Sequence, residues 1–197
     1  AYAAARAALE LDRARAEARL LVRAAAQARE DWPVLAALLR DDAEGEGEPA
    51  FRARASLELG QIFERLAAPG EAAGAYERAA SLNPDLRAAQ EALVRLHGAA
   101  GRHSDAAHAA EALVGLASSP EEEGKLSFEA GAFRIRAGEP DAARLLLAYA
   151  CERPGLAGEK ALLALARWAN DAAKRRQVRD LARVGDAIQG KESSADP

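Results

Sequence analysis

"LGQIFERLAAPGEAAGAYERAASLNP" spans residues 59–84 and places small residues where an ordinary amphipathic helix would carry large ones. Gly60 lies inside a helical pattern, and Ala72 and Ala79 flank Tyr76 at i−4 and i+3. Small side chains let two helix backbones approach closely, whereas larger ones would force them apart. We therefore expect two antiparallel helices that cross near Gly60 and Ala72, with an aromatic side chain filling the space beside that contact.

The composition favours an all-helical protein. Half of the 197 residues are apolar but only 5% are aromatic, because much of the apolar share is alanine. Alanine, arginine and glutamate are strong helix formers, and charged residues contribute 29% of the chain. The same bias toward Ala, Arg, Glu and Gly is typical of GC-rich bacterial genomes, so we expect a bacterial source.

The opening stretch resembles the tetratricopeptide repeat (TPR), whose signature is W-x2-L-G-x2-Y, then A-x3-F, then P. Six of its positions match in register without a gap, and Ser56 stands in the tryptophan position. The matching residues are Leu59, Gly60, Phe63, Ala72, Tyr76 and Pro84.

The pattern recurs along the chain. A displacement of 34 residues places Val94 on Gly60, Ala110 on Tyr76, and Gly101 in the turn between the two helices. A further displacement of 37, with three extra residues in "SSPEEEG", places Gly131 on Gly60 and Leu147 on Tyr76. Recurrence in one register favours stacked helix pairs over a generic alanine-rich bundle, since a single helix pair cannot bury this surface.

The resemblance implies an all-α, right-handed superhelical solenoid of antiparallel helix pairs, with about four repeats and a leading helix across residues 1–189. We expect repeats near 16–49, 53–86, 87–120, 124–157 and 158–189, and a disordered tail at 190–197. The register begins in mid-repeat and the chain contains no methionine, so we expect a chain truncated at its N-terminus.

The periodicity predicts eleven helices, separated in two places by exposed, non-helical inter-repeat loops. The loops are "DDAEGEGEP" and "SSPEEEG", which are rich in glycine and carboxylates. The helices are expected near 2–12, 15–29, 33–42, 50–67, 70–82, 85–99, 103–116, 121–137, 140–152, 158–171 and 173–189.

Residues capable of catalysis or metal binding do not form a recognisable pattern. His97, His103 and His108 are spaced six and five apart, whereas metal ligands on one helix need i, i+3 or i, i+4 spacing. His97 falls on an aromatic packing position, and Cys151 is expected to be a buried, inert thiol. We therefore expect a protein that is not an enzyme and carries no metal or cofactor.

The charge distribution limits the partners. A net charge of −4 argues against a general nucleic-acid binder, and the carboxylates are expected to pair with arginines at i±3 and i±4, as in Glu10–Arg13. "KRRQVR" at 174–179 is the one dense basic run; it is either the polar cap of a terminal repeat or a contact for an acidic partner or lipid headgroup.

A single cysteine gives no indication of an oxidising compartment, and no apolar run reaches the length of a membrane span. The compartment stays open, with the cytoplasm as the default expectation.

The resemblance also implies a ligand-binding groove on the first helices of the repeats. Three of its side chains are basic, and Glu91 offsets part of their charge, so an acidic segment would be favoured if Arg54 and Arg95 do not pair with Glu58 and Glu91. The chain lacks the asparagines of the family's carboxylate clamp. The predicted groove residues are Arg54, Leu57, Gln61, Glu91, Arg95, Lys125, Phe128 and Ala132.

The function expected from these observations is a non-catalytic scaffold or adaptor that holds a protein or peptide segment, possibly acidic, within a larger assembly. The alternative is a regulatory or targeting domain of a larger enzyme or membrane-associated assembly. A peptide-sensing module of a transcriptional regulator is a third possibility, although no DNA-binding motif accompanies it.

Overall fold

The structure is a computed structural model that describes residues 16–167 continuously, together with residues 7, 170, 171 and 176. The expected helices at 2–12 and 173–189, the basic run, the Glu10–Arg13 pair and the tail at 190–197 fall almost entirely outside the described residues. Residues 156–167 are helical. The helices with complete bounds are α1 Ala16–Ala28, α2 Trp32–Glu44, α3 Pro49–Arg65, α4 Pro69–Leu82, α5 Arg87–Ala99, α6 His103–Val114, α7 Pro120–Arg136 and α8 Pro140–Cys151.

Prolines start most of these helices. Proline occupies the first turn of α2, α3, α4, α7 and α8, where its fixed φ suits the helix and its missing N–H is not needed. The ends of all eight helices lie within two residues of the predicted ends, because these start signals and the hydrophobic period can be read directly from the sequence.

Four helix pairs share one turn geometry. Three residues separate α1 from α2, α3 from α4, α5 from α6 and α7 from α8, and the middle residue has a positive φ each time. In each turn the third residue donates its N–H, at 2.9 Å, to the carbonyl five positions earlier, which is the Schellman hydrogen bond that ends a helix. The left-handed residues are Glu30, Ala67, Gly101 and Gly138.

The two inter-repeat loops are shorter than predicted. α2 continues through Glu44, so only residues 45–48 of "DDAEGEGEP" lie between helices. In "SSPEEEG", Pro120 already begins α7, and Glu121–Glu123 form its first turn. For "SSPEEEG" the expectation that carboxylates disfavour helix was wrong, because carboxylates in a first turn interact favourably with the helix dipole.

The described residues form only helices and the turns and bends between them, so the predicted all-α class of TPR-like antiparallel helix pairs is confirmed. Contacts divide the chain into an N-terminal unit, Ala1–Ala117, and a C-terminal unit, Ser118–Pro197. In the N-terminal unit each helix from α1 to α6 packs on the next, and in the C-terminal unit α7 packs on α8. The boundaries assigned to whole repeats stay predictions.

Small residues hold α3 and α4 together, as the opening stretch predicts. Ala72 and Ala79 are fully buried. A Cβ placed on Gly60 would lie 2.6 Å from Tyr76 Cε1, so the aromatic ring rests directly on Gly60 instead of beside the closest crossing. In the C-terminal unit the equivalent residue is Gly131, where a Cβ would lie 3.0 Å from Leu147 Cγ. The register of the repeat thus predicts which glycine faces which large side chain.

Candidate functional site: a groove along α7

An open groove of about 840 Å³ lies against α7 in the C-terminal unit. Its lining residues on α7 recur every three or four positions and therefore share one helix face. The helix that begins at residue 156 supplies the other wall. The lining residues are Ser118, Ser119, Glu121, Glu122, Lys125, Phe128, Glu129, Ala132, Phe133, Arg136, Leu156, Ala157 and Lys160.

The floor of the groove is apolar. Phe128 is half-buried and packs against the core formed by Leu147, Ala150 and Ala161. Its remaining surface lines the groove together with Leu156, whose exposed fraction is 63%. An exposed leucine beside a half-exposed phenylalanine offers apolar surface that a ligand can bury.

The two ends of α7 carry opposite charges. Glu121, Glu122 and Glu123 lie in its first turn, and Arg134 and Arg136 lie in its last. This arrangement complements the helix dipole and stabilises a helix whose sequence contains two glycines. A segment bound along α7 therefore meets an acidic end and a basic end.

Glu122 is already engaged within the protein. The backbone N–H and the hydroxyl of Ser118 donate to Glu122 Oε2 at 2.7 and 2.6 Å, and the Glu122 N–H donates to Ser119 Oγ at 3.2 Å. These reciprocal bonds resemble a capping box and satisfy donors at the helix start. The carboxylate is thus less available to a ligand than its position in the groove suggests.

Lys125 and Lys160 place two ammonium groups in this site. Both side chains are exposed and line the groove, one from each wall. Neither lysine forms an ion pair with any carboxylate of residues 16–167, whereas Arg136 stacks 5.5 Å from the centre of the Phe133 ring. The groove therefore offers two ammonium groups that form no ion pair within residues 16–167 beside its apolar floor.

A polar cluster fastens the first turns of α7 to the end of α8. Tyr149 Oη donates to Glu123 Oε2 at 3.0 Å, and Arg153 Nε donates to the same oxygen at 2.7 Å. The hydrogen bond from Arg153, followed by that from Tyr149, lowers the pKa of Glu123. A Cβ on Gly124 would lie 2.7 Å from Arg153 Cβ, so α7 needs glycine there to approach this cluster.

The predicted groove residues separate into two groups. Lys125, Phe128 and Ala132 lie together in the α7 groove. In the N-terminal unit, Arg54 lines a small cleft of about 240 Å³ with Arg23, Phe51, Ala55 and Glu58. Leu57 is partly exposed and Gln61, Glu91 and Arg95 are exposed, but these four line neither cavity.

Ion pairs offset the positive charge predicted for the N-terminal unit. Arg54 Nε lies 3.5 Å from Glu58 Oε1 on its own helix. Arg95 binds Glu64 of α3 at 2.7 Å, and Glu91 binds Arg87 at 2.8 Å. Both arginines are thus paired. The partner of Arg95 is Glu64 on another helix, whereas the sequence suggested Glu91 on its own helix.

More generally, several ion pairs join different helices, which the expectation of i±3 and i±4 pairing did not include. Arg23 of α1 binds Glu58 of α3, and Arg78 of α4 binds Glu44 of α2 at 3.0 Å. Such partners are brought together by packing, so their spacing in the sequence does not reveal them.

Ten of the thirteen residues that line the α7 groove were not among the predicted groove residues, Leu156 and Lys160 included. Leu156 and Lys160 lie one turn apart on the helix that was expected to begin at residue 158. Their i, i+4 spacing was the available signal, but Leu156 fell outside the expected helix. Phe51, in the small cleft, is 53% exposed and follows the proline that starts α3.

The histidines lie on α5 and α6. His97 is buried as predicted, its Nε2 lies 3.3 Å from Glu77 Oε1, and burial, reinforced by the charge of Arg102, lowers its pKa. Among the described side chains, no group of three or more His, Cys, Asp or Glu residues is close enough to hold a metal ion.

Cys151 is partly exposed and not fully buried as expected, and desolvation raises its pKa. A raised pKa reduces the thiolate fraction, which is the reactive form of cysteine. Of the helices described, none combines the length and apolar content needed to cross a membrane.

Among known proteins, two solved structures align with part of this chain. No protein-family model and no curated protein sequence matches the chain. Two solved structures of MamA each align with a TM-score of 0.49 at 20% sequence identity. Both alignments cover 77% of this chain, and they cover 79% and 85% of the respective MamA chains. The TPR-like fold assigned to this protein rests on its own helix pairs, turns and glycine contacts.

Proposed function

We propose that this protein is a non-catalytic interaction scaffold and that the α7 groove receives a segment of a partner protein. The observation that carries the proposal is the open groove along the first helix of a helix pair, with an apolar floor and charged walls. Apolar surface supplies affinity, and the surrounding charges supply orientation and selectivity.

The rigidity of the groove supports this role. Phe128 rests on the core of the C-terminal unit, and the Glu123–Tyr149–Arg153 cluster holds the first turns of α7. A binding surface that is already formed loses less conformational entropy when it binds. The remaining predicted residues, Arg54, Leu57, Gln61, Glu91 and Arg95, are proposed as a separate interaction surface within the N-terminal unit, and we propose that the partner belongs to a larger assembly.

Site-specific photo-crosslinking tests the proposal. A benzophenone amino acid replaces Ala132, which lines the groove, or Ala148, which is exposed on α8 outside it. In lysate of the source organism we expect a discrete protein adduct from position 132 only. Excess unlabelled chain should abolish the adduct, and excess Phe128→Ala chain should not. Equal adducts from both positions, or equal competition by both chains, would contradict the proposal.

A further inference from the structure

We propose that the α7 groove selects an extended segment of about eight residues in which a large apolar side chain is flanked by a carboxylate. This inference rests on the proposed function and specifies the chemistry of the partner. It follows from the length of the groove, the apolar floor and the two lysines that have no carboxylate partner within the described residues.

The length follows from α7. The lining runs from Ser118 to Arg136, and α7 itself contains 17 residues. A helix rises 1.5 Å per residue, so α7 is roughly 25 Å long. An extended chain rises about 3.3 Å per residue, and about eight residues therefore span the groove.

The apolar requirement follows from Phe128 and Leu156. Phe128 lines the groove from α7 and Leu156 lines it from the helix at 156–167, and the exposed fraction of Leu156 is 63%. A leucine or aromatic side chain inserted between them would remove apolar surface of all three groups from water. A polar side chain at the same point would lose hydration without gaining a hydrogen-bond partner.

The carboxylate requirement follows from Lys125 and Lys160. Formal charges among the lining residues balance, but they are not equally available: Glu122 is held by Ser118, whereas neither lysine forms an ion pair within residues 16–167. A carboxylate beside the apolar anchor can reach these ammonium groups. Glu121 and Glu129, on the same face of α7, oppose it, so removing the charge of Glu129 should strengthen binding.

A random octapeptide library displayed on phage provides the probe, with the full chain immobilised. We expect selected peptides to combine a large apolar residue with neighbouring Asp or Glu. For a selected peptide measured by fluorescence anisotropy, Lys125→Ala/Lys160→Ala should weaken binding about tenfold. Glu129→Gln should strengthen binding, and Leu145→Ala, an equally exposed leucine outside the groove, should leave it unchanged.

Each outcome decides the inference. Selection of basic or purely polar peptides would overturn it, as would no selection at all or equal binding by the double-lysine variant and the parent chain. Lys125, Lys160 and Leu145 are exposed and Glu129 is partly exposed, so circular dichroism melts that coincide with that of the parent chain exclude unfolding as the cause. If position 132 still crosslinks a partner while the selected peptides are basic, the scaffold function remains supported. Only the proposed chemistry of the partner is then refuted.

Discussion

Gly60→Ala tests the contact on which the fold is built, because it adds one methyl group beneath the Tyr76 ring. That methyl carbon would lie 2.6 Å from Cε1 and 2.8 Å from Cδ1 and Cζ of Tyr76. The ring is 3% exposed. Burial, followed by the interaction of its hydroxyl with Glu64, raises the pKa of Tyr76. The ring therefore cannot move aside without losing both packing and a polar contact.

The change that Gly60→Ala causes in the free energy of unfolding is the difference between two opposing contributions. Replacing a helix-interior glycine by alanine contributes about 1 kcal/mol of stability. Inserting a methyl group into a packed contact costs roughly 1–3 kcal/mol. We expect Gly60→Ala to lower the free energy of unfolding by between about 0 and 2 kcal/mol. Gly74→Ala, at an exposed helix position where an added Cβ meets nothing within 4 Å, should instead raise it by about 1 kcal/mol.

Removing the Tyr76 ring should change Gly60→Ala from a destabilising substitution into a stabilising one. In a Tyr76→Ala chain the space above residue 60 is open, so Gly60→Ala should stabilise by about 1 kcal/mol. The coupling energy between the two positions is then roughly 1–3 kcal/mol. The chain contains a precedent, since Val94 and Ala110 occupy the equivalent register positions of α5 and α6 and both are buried.

Urea unfolding followed by circular dichroism measures the four chains of this cycle and the Gly74 control. Hydrogen exchange of the α3 and α4 amides locates the change, because helix pairs in a repeat array open locally. The reasoning is refuted if Gly60→Ala stabilises the parent chain as much as Gly74→Ala does. It is also refuted if Tyr76→Ala leaves the effect of Gly60→Ala unchanged.

Three further predictions concern the helix turns, the core and pH. Ala67→Gly should stabilise by about 0.5–1 kcal/mol in a thermal melt, because Ala67 has a φ of 55°, whereas Gly101→Ala, at a φ of 72°, should destabilise by a similar amount. Ser127→Ala should stabilise by about 1 kcal/mol in urea unfolding, because the Ser127 hydroxyl is buried without a hydrogen bond. Burial lowers the pKa of His97 below 6.5, so stability should be retained above pH 6.5 and fall as the unfolded chain takes up the proton below it. His97→Gln should flatten that part of the curve in pH-dependent melts, and an unchanged slope would contradict the assignment.

The sequence by itself determined the helices, the turns between paired helices and the contact between glycine and a large side chain. Prolines mark helix starts and Gly101 and Gly138 mark left-handed turns, because these residues act through local backbone preferences. The recurring register, with displacements of 34 and then 37 residues, extended this local information to distant positions and so matched Gly131 with Leu147. The same interpretation failed in "DDAEGEGEP", where α2 continues to Glu44 and the carboxylates of its last turn pair with arginines of other helices, Asp42 with Arg19 and Glu44 with Arg78.

Only the tertiary structure decided the charge pairing and the shape of the candidate site. Arg95 binds Glu64, 31 residues away, because α3 packs on α4 and α4 packs on α5, which brings the two side chains together. The α7 groove exists because the helix at 156–167 forms a second wall, which supplies Leu156 and Lys160. Ion pairs and cavities depend on distances between elements, and those distances are set by the packing of the whole helix pair and not by spacing along one helix.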